Sequence, residues 1–100
     1  MGVHNFVVIP ASYVFLRSDR GVLLQLRQNT GFMDGKWAAG AAGHVELGET
    51  ALQTAVRELR EELGVEVDPR DLHCVAVMQR TDGTDTPREQ RVEWFFTCRR

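Results

Sequence analysis

The sequence predicts an α/β fold, a mixed sheet carrying one principal helix, and three observations point to it. Runs rich in β-branched and aromatic residues lie near both ends, one central segment has helical apolar spacing, and glycines punctuate the connections. At 100 residues the chain makes a single domain, residues 1–100, with one hydrophobic core and little burial to spare.

Phe6 to Leu16 (FVVIPASYVFL) has the composition of a strand, Ser18-Asp19-Arg20-Gly21 supplies a turn, and Val22 to Leu26 resumes the pattern, which together predict a hairpin. Pro10 cannot donate to a ladder, so a bulge or an edge position is expected there. Gln28 to Gly43 is glycine-rich, with small residues through its second half, and reads as loop and short strand whose backbone can approach a neighbour closely.

The helix follows. Thr50 is a candidate N-cap with Gln53 completing a capping box, and Leu52, Ala55, Val56, Leu59 and Leu63 recur at helical spacing. Gly64 stands where a left-handed residue ends such a segment, so the helix is expected at about 51–63. Beyond it the sequence predicts a short strand at Val65 to Val67, a turn at Asp68 to Asp71 and a strand from Leu72 to Gln79. A polar loop from Thr81 to Gln90 then leads to a last strand from Val92 to Cys98. Nothing in the sequence covers the apolar Trp94-Phe95-Phe96, so contact in a homodimer or further chain is expected there.

Composition narrows the function. Hydrophobic residues at 43% and charged residues at 26% point neither to disorder nor to a membrane class. A formal net charge of −2 gives no basic field for duplex nucleic acid. No apolar run approaches the roughly 18 residues that span a bilayer, and Met1 to Phe6 lacks the basic start of a secretory signal. The cytoplasm is the expected compartment. Met1-Gly2 would suit myristoylation, but Phe6 stands where Ser or Thr is needed. Cys74 and Cys98 have no CxxC spacing and no companion histidine, and are expected to be buried free thiols.

At 100° per residue, Glu58, Glu61 and Glu62 fall within an arc of about 100°, away from Leu52, Val56, Leu59 and Leu63. Exposed like-charge pairs cost only about 0.2–0.5 kcal/mol each, so the trio by itself reads first as a solvated face. The surrounding residues change that reading: Gly43, Glu49, Arg57-Glu58-Leu59, Glu61-Glu62 and Gly64-Val65 follow the pattern Gly-x5-Glu-x7-Arg-Glu-U-x-Glu-Glu-x-Gly-U, with U apolar. Average residue usage makes such a coincidence rare, on the order of once in 10⁹ starting points. The chain therefore resembles the Nudix hydrolase family over most of Phe6 to Cys98.

That resemblance implies an α/β/α sandwich and the hydrolysis of a diphosphate linkage in a nucleoside diphosphate derivative: a nucleoside triphosphate, an oxidised nucleotide or a nucleotide sugar. It implies Mg²⁺, or Mn²⁺, bound by Glu58, Glu61 and Glu62 with the carbonyl of Ala42, Arg57 orienting the glutamates, and Glu49 supporting that pair. The chemistry is coherent, since hard cations take oxygen ligands and neutralise the charge that keeps water from phosphorus. The general base stays open among Glu58, Glu62, Glu89 and Glu93, although strand alternation reads Glu93 first as an outward polar residue. Candidates for touching substrate are Arg27, Trp37, Gly43 and His44, with Phe32 and Lys36 beside them. Each has a plainer reading: Trp37 and Phe32 as core plugs, His44 as a solvent-facing strand residue, and Arg27 and Lys36 as rim charges.

Two departures from the family pattern stand out. No proline precedes Gly43, and the strand and helix that usually follow the last segment are missing, so the domain is expected to be C-terminally incomplete. The alternative function is a nucleotide-binding regulatory module without turnover. A prenyl diphosphate isomerase on the same scaffold would need Cys, His and Glu placed around an alkene, and Cys74 and Cys98 are not so placed.

Overall fold

In the computed structural model, residues 6–26 and 37–99 are described. The expectations for Arg27, Phe32 and Lys36 and for the first five residues lie outside these. Strands β1 (Ile9–Ser18), β2 (Gly21–Leu26), β3 (Trp37–Ala39) and β4 (Ala41–His44) precede helix α1 (Ala51–Leu63), and β5 (Leu72–Arg80) and β6 (Arg91–Arg99) follow it. They form one mixed sheet in the order β3-β2-β1-β6-β5, with β4 also on β1.

β1 is the axis of this sheet. On one flank it runs parallel to β6 over its length, from Ile9 with Arg91 to Arg17 with Arg99. Its other flank is divided: Ala11 to Val14 pair with β4 and Leu16 to Ser18 pair with β2. The small residues Ala38-Ala39-Gly40-Ala41 let the chain leave β2 and join β1 within a few residues. The expected hairpin is present. No bulge lies at Pro10; β1 is central to the sheet as a whole, but at Pro10 only its β6 flank is paired, so the proline meets a local edge as expected. Pro10 is tolerated for a local reason: its carbonyl accepts from Val45 N at 2.9 Å, so its nitrogen faces the same flank, where β4 has already ended at His44.

Helix α1 forms where the apolar spacing and the caps coincide. The Thr50 side chain accepts from Gln53 N while the Gln53 side chain accepts from Thr50 N, and Gly64 closes the helix at φ 66°. Its buried face sets Ala55 and Leu59 against Val14, Leu16 and Ala41, with Phe96 and Cys98 completing the core. Leu59 has 0% of its surface exposed. Leu59→Ala is therefore expected to cost about 2–5 kcal/mol, read as a lower urea midpoint at unchanged slope.

Three local expectations are corrected. Val65 to Val67 is not a strand; the chain leaves α1 through Val65 N donating to Leu59 O, and no strand lies alongside to pair with it among the described residues. Asp68 to Asp71 turns as expected, as a 3-10 turn over Pro69–Asp71. Cys74 is exposed, whereas Cys98 is buried as expected. The reason is reach: α1 lies over β1 and β4, so of β5 only Leu72 is buried, and a register shift between Cys74 and Ala76 turns Val75 out. Nor is the last strand bare: Phe96 is in the core, Trp94 rests against it, and Phe95 stacks on Tyr13 with ring centroids 5.1 Å apart. No helix among the described residues is long and apolar enough to cross a membrane.

Candidate active site

The site is assembled where β4, the turn after it and the outer face of α1 meet. Arg57 is its hub, with only 16% of its side chain exposed. Its Nε donates to Glu49 Oε2 at 2.7 Å and its Nη2 to Glu49 Oε1 at 3.0 Å, a two-point clasp. Nη2 also donates to the His44 carbonyl at 3.2 Å. Nη1 donates to Glu58 Oε1 at 2.7 Å and to Glu61 Oε2 at 3.2 Å. One guanidinium thus gathers three of the five acidic and basic residues expected of the site and itself makes a fourth.

Glu49 is anchored from further sides. Its Oε1 accepts from Glu46 N at 3.1 Å and from the buried Thr54 hydroxyl at 2.8 Å. The Arg57 guanidinium, and then the Glu46 N–H, hold the Glu49 carboxyl down at about 2. The same pairing raises Arg57 above its already high range. Both residues are charged over the whole working range of pH, and both oxygens of Glu49 are engaged.

Gly43 explains why the pattern requires glycine. A Cβ there would sit 2.3 Å from Glu58 Oε1 and 2.4 Å from its Cδ, so the Glu58 carboxylate occupies the space a side chain would need. Glu58 is correspondingly enclosed, with 12% of its side chain exposed. Glu62 turns to the neighbouring strand, where its Oε2 accepts from Ala42 N at 3.2 Å. In an extended strand the N–H and carbonyl of one residue point the same way, so the Ala42 carbonyl faces the Glu62 side.

The donor set suits a hard divalent cation, being carboxylate and carbonyl oxygen throughout. As they stand, no three acidic, histidine or cysteine side chains converge on one point among the described residues. The cause is visible in the hydrogen bonds: Arg57 Nη1 lies between Glu58 and Glu61, and Glu62 is turned to Ala42. Glu58, Glu61 and Glu62 are the residues that would hold a cation by turning inward.

Of the remaining candidates, His44 is exposed, and its Nε2 lies 3.1 Å from Arg91 Nη1. Trp37 begins β3. Glu93 reverses its expected outward position: it is 3% exposed, on the sheet face opposite α1, and accepts from Arg80 Nε at 2.5 Å. Tyr13 also donates to it, and burial together with that bond raises the tyrosine pKa. Glu89 lies in a 3-10 turn, Pro87–Glu89, beside Arg91. Sequence reasoning missed Thr54 and Ser12. The Ser12 hydroxyl donates to Ala51 O at 2.8 Å, tying β1 to the start of α1, and its signal was a polar residue in phase with the core residues Val14 and Leu16.

A helix whose acids are ordered by one arginine, set on a mixed sheet beside a glycine that admits a carboxylate, defines the class. The NUDIX domain model matches residues 8–100, and the chain belongs to the NUDIX family. It is 39% identical over 109 residues to the NAD-capped RNA hydrolase NudC of Pseudomonas aeruginosa, covering 94% of this chain and 38% of that protein. To Nudix hydrolase 3 of Arabidopsis thaliana it is 42% identical over 60 residues, 59% of this chain and 8% of that protein. The chain thus spans well under half the length of these relatives. Among solved structures, a MutT/nudix family protein from Enterococcus faecalis superposes over 99% of this chain and 39% of its own, with a TM-score of 0.79 at 21% identity. The NUDIX domain of Shewanella oneidensis NrtR, solved with ADP ribose, covers 96% of this chain and 62% of its own, with a TM-score of 0.71 at 20% identity.

Proposed function

We propose that the chain hydrolyses a diphosphate linkage in a nucleoside diphosphate derivative, with Mg²⁺ or Mn²⁺ held by Glu58, Glu61 and Glu62 and the carbonyl of Ala42. The observation that carries this reading is the gathering of Glu58 and Glu61 on one nitrogen of Arg57, with Glu62 and Ala42 adjoining. The names of the relatives support the substrate class, one acting on NAD-capped RNA and one binding ADP ribose. Bound there, a divalent cation neutralises phosphate charge and acidifies or orients water.

The protein's own residues divide the remaining work. Glu49 fixes Arg57, and Arg57 sets the position from which Glu58 and Glu61 act. Glu58, Glu62 and Glu89 are the choices left for the general base, because Glu93 is already engaged by Arg80 and Tyr13 on the other face of the sheet. The expected setting is the cytoplasm, where such nucleotides are abundant.

The test is a panel of nucleoside triphosphates, oxidised nucleotides and nucleotide sugars with Mg²⁺ and with Mn²⁺, scored by release of the cleaved nucleotide. Turnover is expected with at least one, and Glu62→Gln is expected to lower it about 10- to 100-fold while the urea midpoint stays put. Tight nucleotide binding with no product would replace this reading by a binding module.

A further inference from the structure

The mechanism leaves one charged cluster unused. On the sheet face away from α1, a cavity of about 600 Å³ is lined by Tyr13, Arg80, Arg88, Glu89 and Arg91, with Glu93 beneath. Register puts these residues together: Glu93 stands beside Ala11 in the parallel pair and opposite Met78, Arg91 opposite Arg80, and Tyr13 beside Phe95. The volume is within the range of small-ligand sites, about 300–1,000 Å³.

The charges are only partly matched. Arg80 gives Nε and Nη2 to Glu93, at 2.5 and 3.3 Å, which spends that acid. Arg91 gives Nε to the Arg88 carbonyl at 3.1 Å and Nη1 to His44, keeping donors on Nη2. The Arg88 guanidinium has no hydrogen bond or ion pair among the described residues. Three arginines therefore face two carboxylates, and one of those, Glu93, is already paired. His44 joins this cavity to the glutamates: its ring meets Arg91 while its carbonyl meets Arg57. His44 thus touches both places, the cavity through its ring and the arginine hub through its carbonyl.

We propose that this cavity is an anion subsite that takes a phosphate group of the substrate other than those flanking the cleaved bond, so that the preferred substrate is a nucleoside diphosphate derivative bearing a further phosphate. The inference rests on the proposed hydrolysis for its meaning, though not for its test. Guanidinium forks suit a phosphate because they meet its oxygens two at a time, and the Tyr13 ring, stacked on Phe95, gives the cavity an apolar wall.

Binding is measured by calorimetry in EDTA, where no turnover occurs, with inorganic phosphate, AMP, adenosine 2′,5′-bisphosphate and adenosine 3′,5′-bisphosphate. At least one bisphosphate is expected to bind about tenfold or more tightly than AMP, with Arg88→Ala removing that advantage. Arg88 is exposed and outside the core, so its variant is expected to fold. Equal affinity for AMP and both bisphosphates, or an advantage that survives Arg88→Ala, overturns the proposal. So does inorganic phosphate binding as tightly as the bisphosphates, which marks a site for free phosphate. Failure of the hydrolysis panel alone leaves the binding result standing, and hydrolysis without this binding pattern sinks only the subsite.

Discussion

Gly43→Ala is expected to abolish most of the proposed diphosphate hydrolysis, by about 10³-fold, while leaving the protein folded. The added methyl group would overlap the Glu58 carboxylate, with 2.3 Å to Oε1, 2.4 Å to Cδ and 2.8 Å to Cγ. All three atoms belong to the movable end of a side chain, so the clash is relieved by turning Glu58 away and the backbone need not shift. That turn breaks the 2.7 Å bond to Arg57 Nη1, and the methyl group fills the space beside Gly43 from which Glu58 would turn to a cation. Displacements of about 1 Å in such sites already cost about 10²-fold, and here a carboxylate leaves and its arginine is loosened as well. Kinetics beside urea denaturation checks the split: a loss of activity with a stability change within about 1 kcal/mol is expected. An active Gly43→Ala enzyme would show that Glu58 need not lie where it does.

Arg57→Ala is expected to lower activity to a similar degree and, in addition, to change how the protein responds to acid. The guanidinium engages Glu49, Glu58, Glu61 and the His44 carbonyl at once, so its removal releases every group it arranges. Lysine is not expected to restore function, because one ammonium cannot reproduce a planar fork with donors on three nitrogens. The acid response follows from Glu49, whose carboxyl lies at about 2 against a usual 4.5. A depressed folded pKa means that the ionised carboxylate contributes stability above about pH 4.5, and that this contribution is lost as pH falls from 4.5 towards 2. Thermal melting between pH 2 and 7 should show that loss in the parent protein. In Arg57→Ala the same limb should be shallower, since the carboxylate has no cation left to lose.

What could be read in advance was local. Thr50, Gln53 and Gly64 act within a few residues of themselves, so the limits of α1 follow from spacing and capping, and the shared face of Glu58, Glu61 and Glu62 follows from helical geometry. The order of strands was not local, and each misreading traces to it. Pro10 requires a bulge or an edge, and which flank supplies that edge, past the end of β4, is known only once β1 is seen at the middle. Glu93 obeys the strand alternation that was noticed, but whether its face is covered depends on Tyr13 and Arg80 from two other strands. Cys74 was expected inside because its neighbours are apolar, and it is outside because α1 does not extend over β5. Within the site, the motif marked Gly43 as required without giving the reason, which is a carboxylate arriving from the helix.

The parallel pairing of β1 with β6 bears on how the molecule is made. Ile9 finds its partner in Arg91 and Arg17 in Arg99, so the middle strand is made well before the strand that closes its second flank. Such distant pairings raise contact order and slow folding, because the entropy of a long loop is lost before its contacts form. During synthesis the apolar residues Val14 and Leu16 would have only β2, β4 and the helix for company, and chaperone dependence would be greatest in that interval.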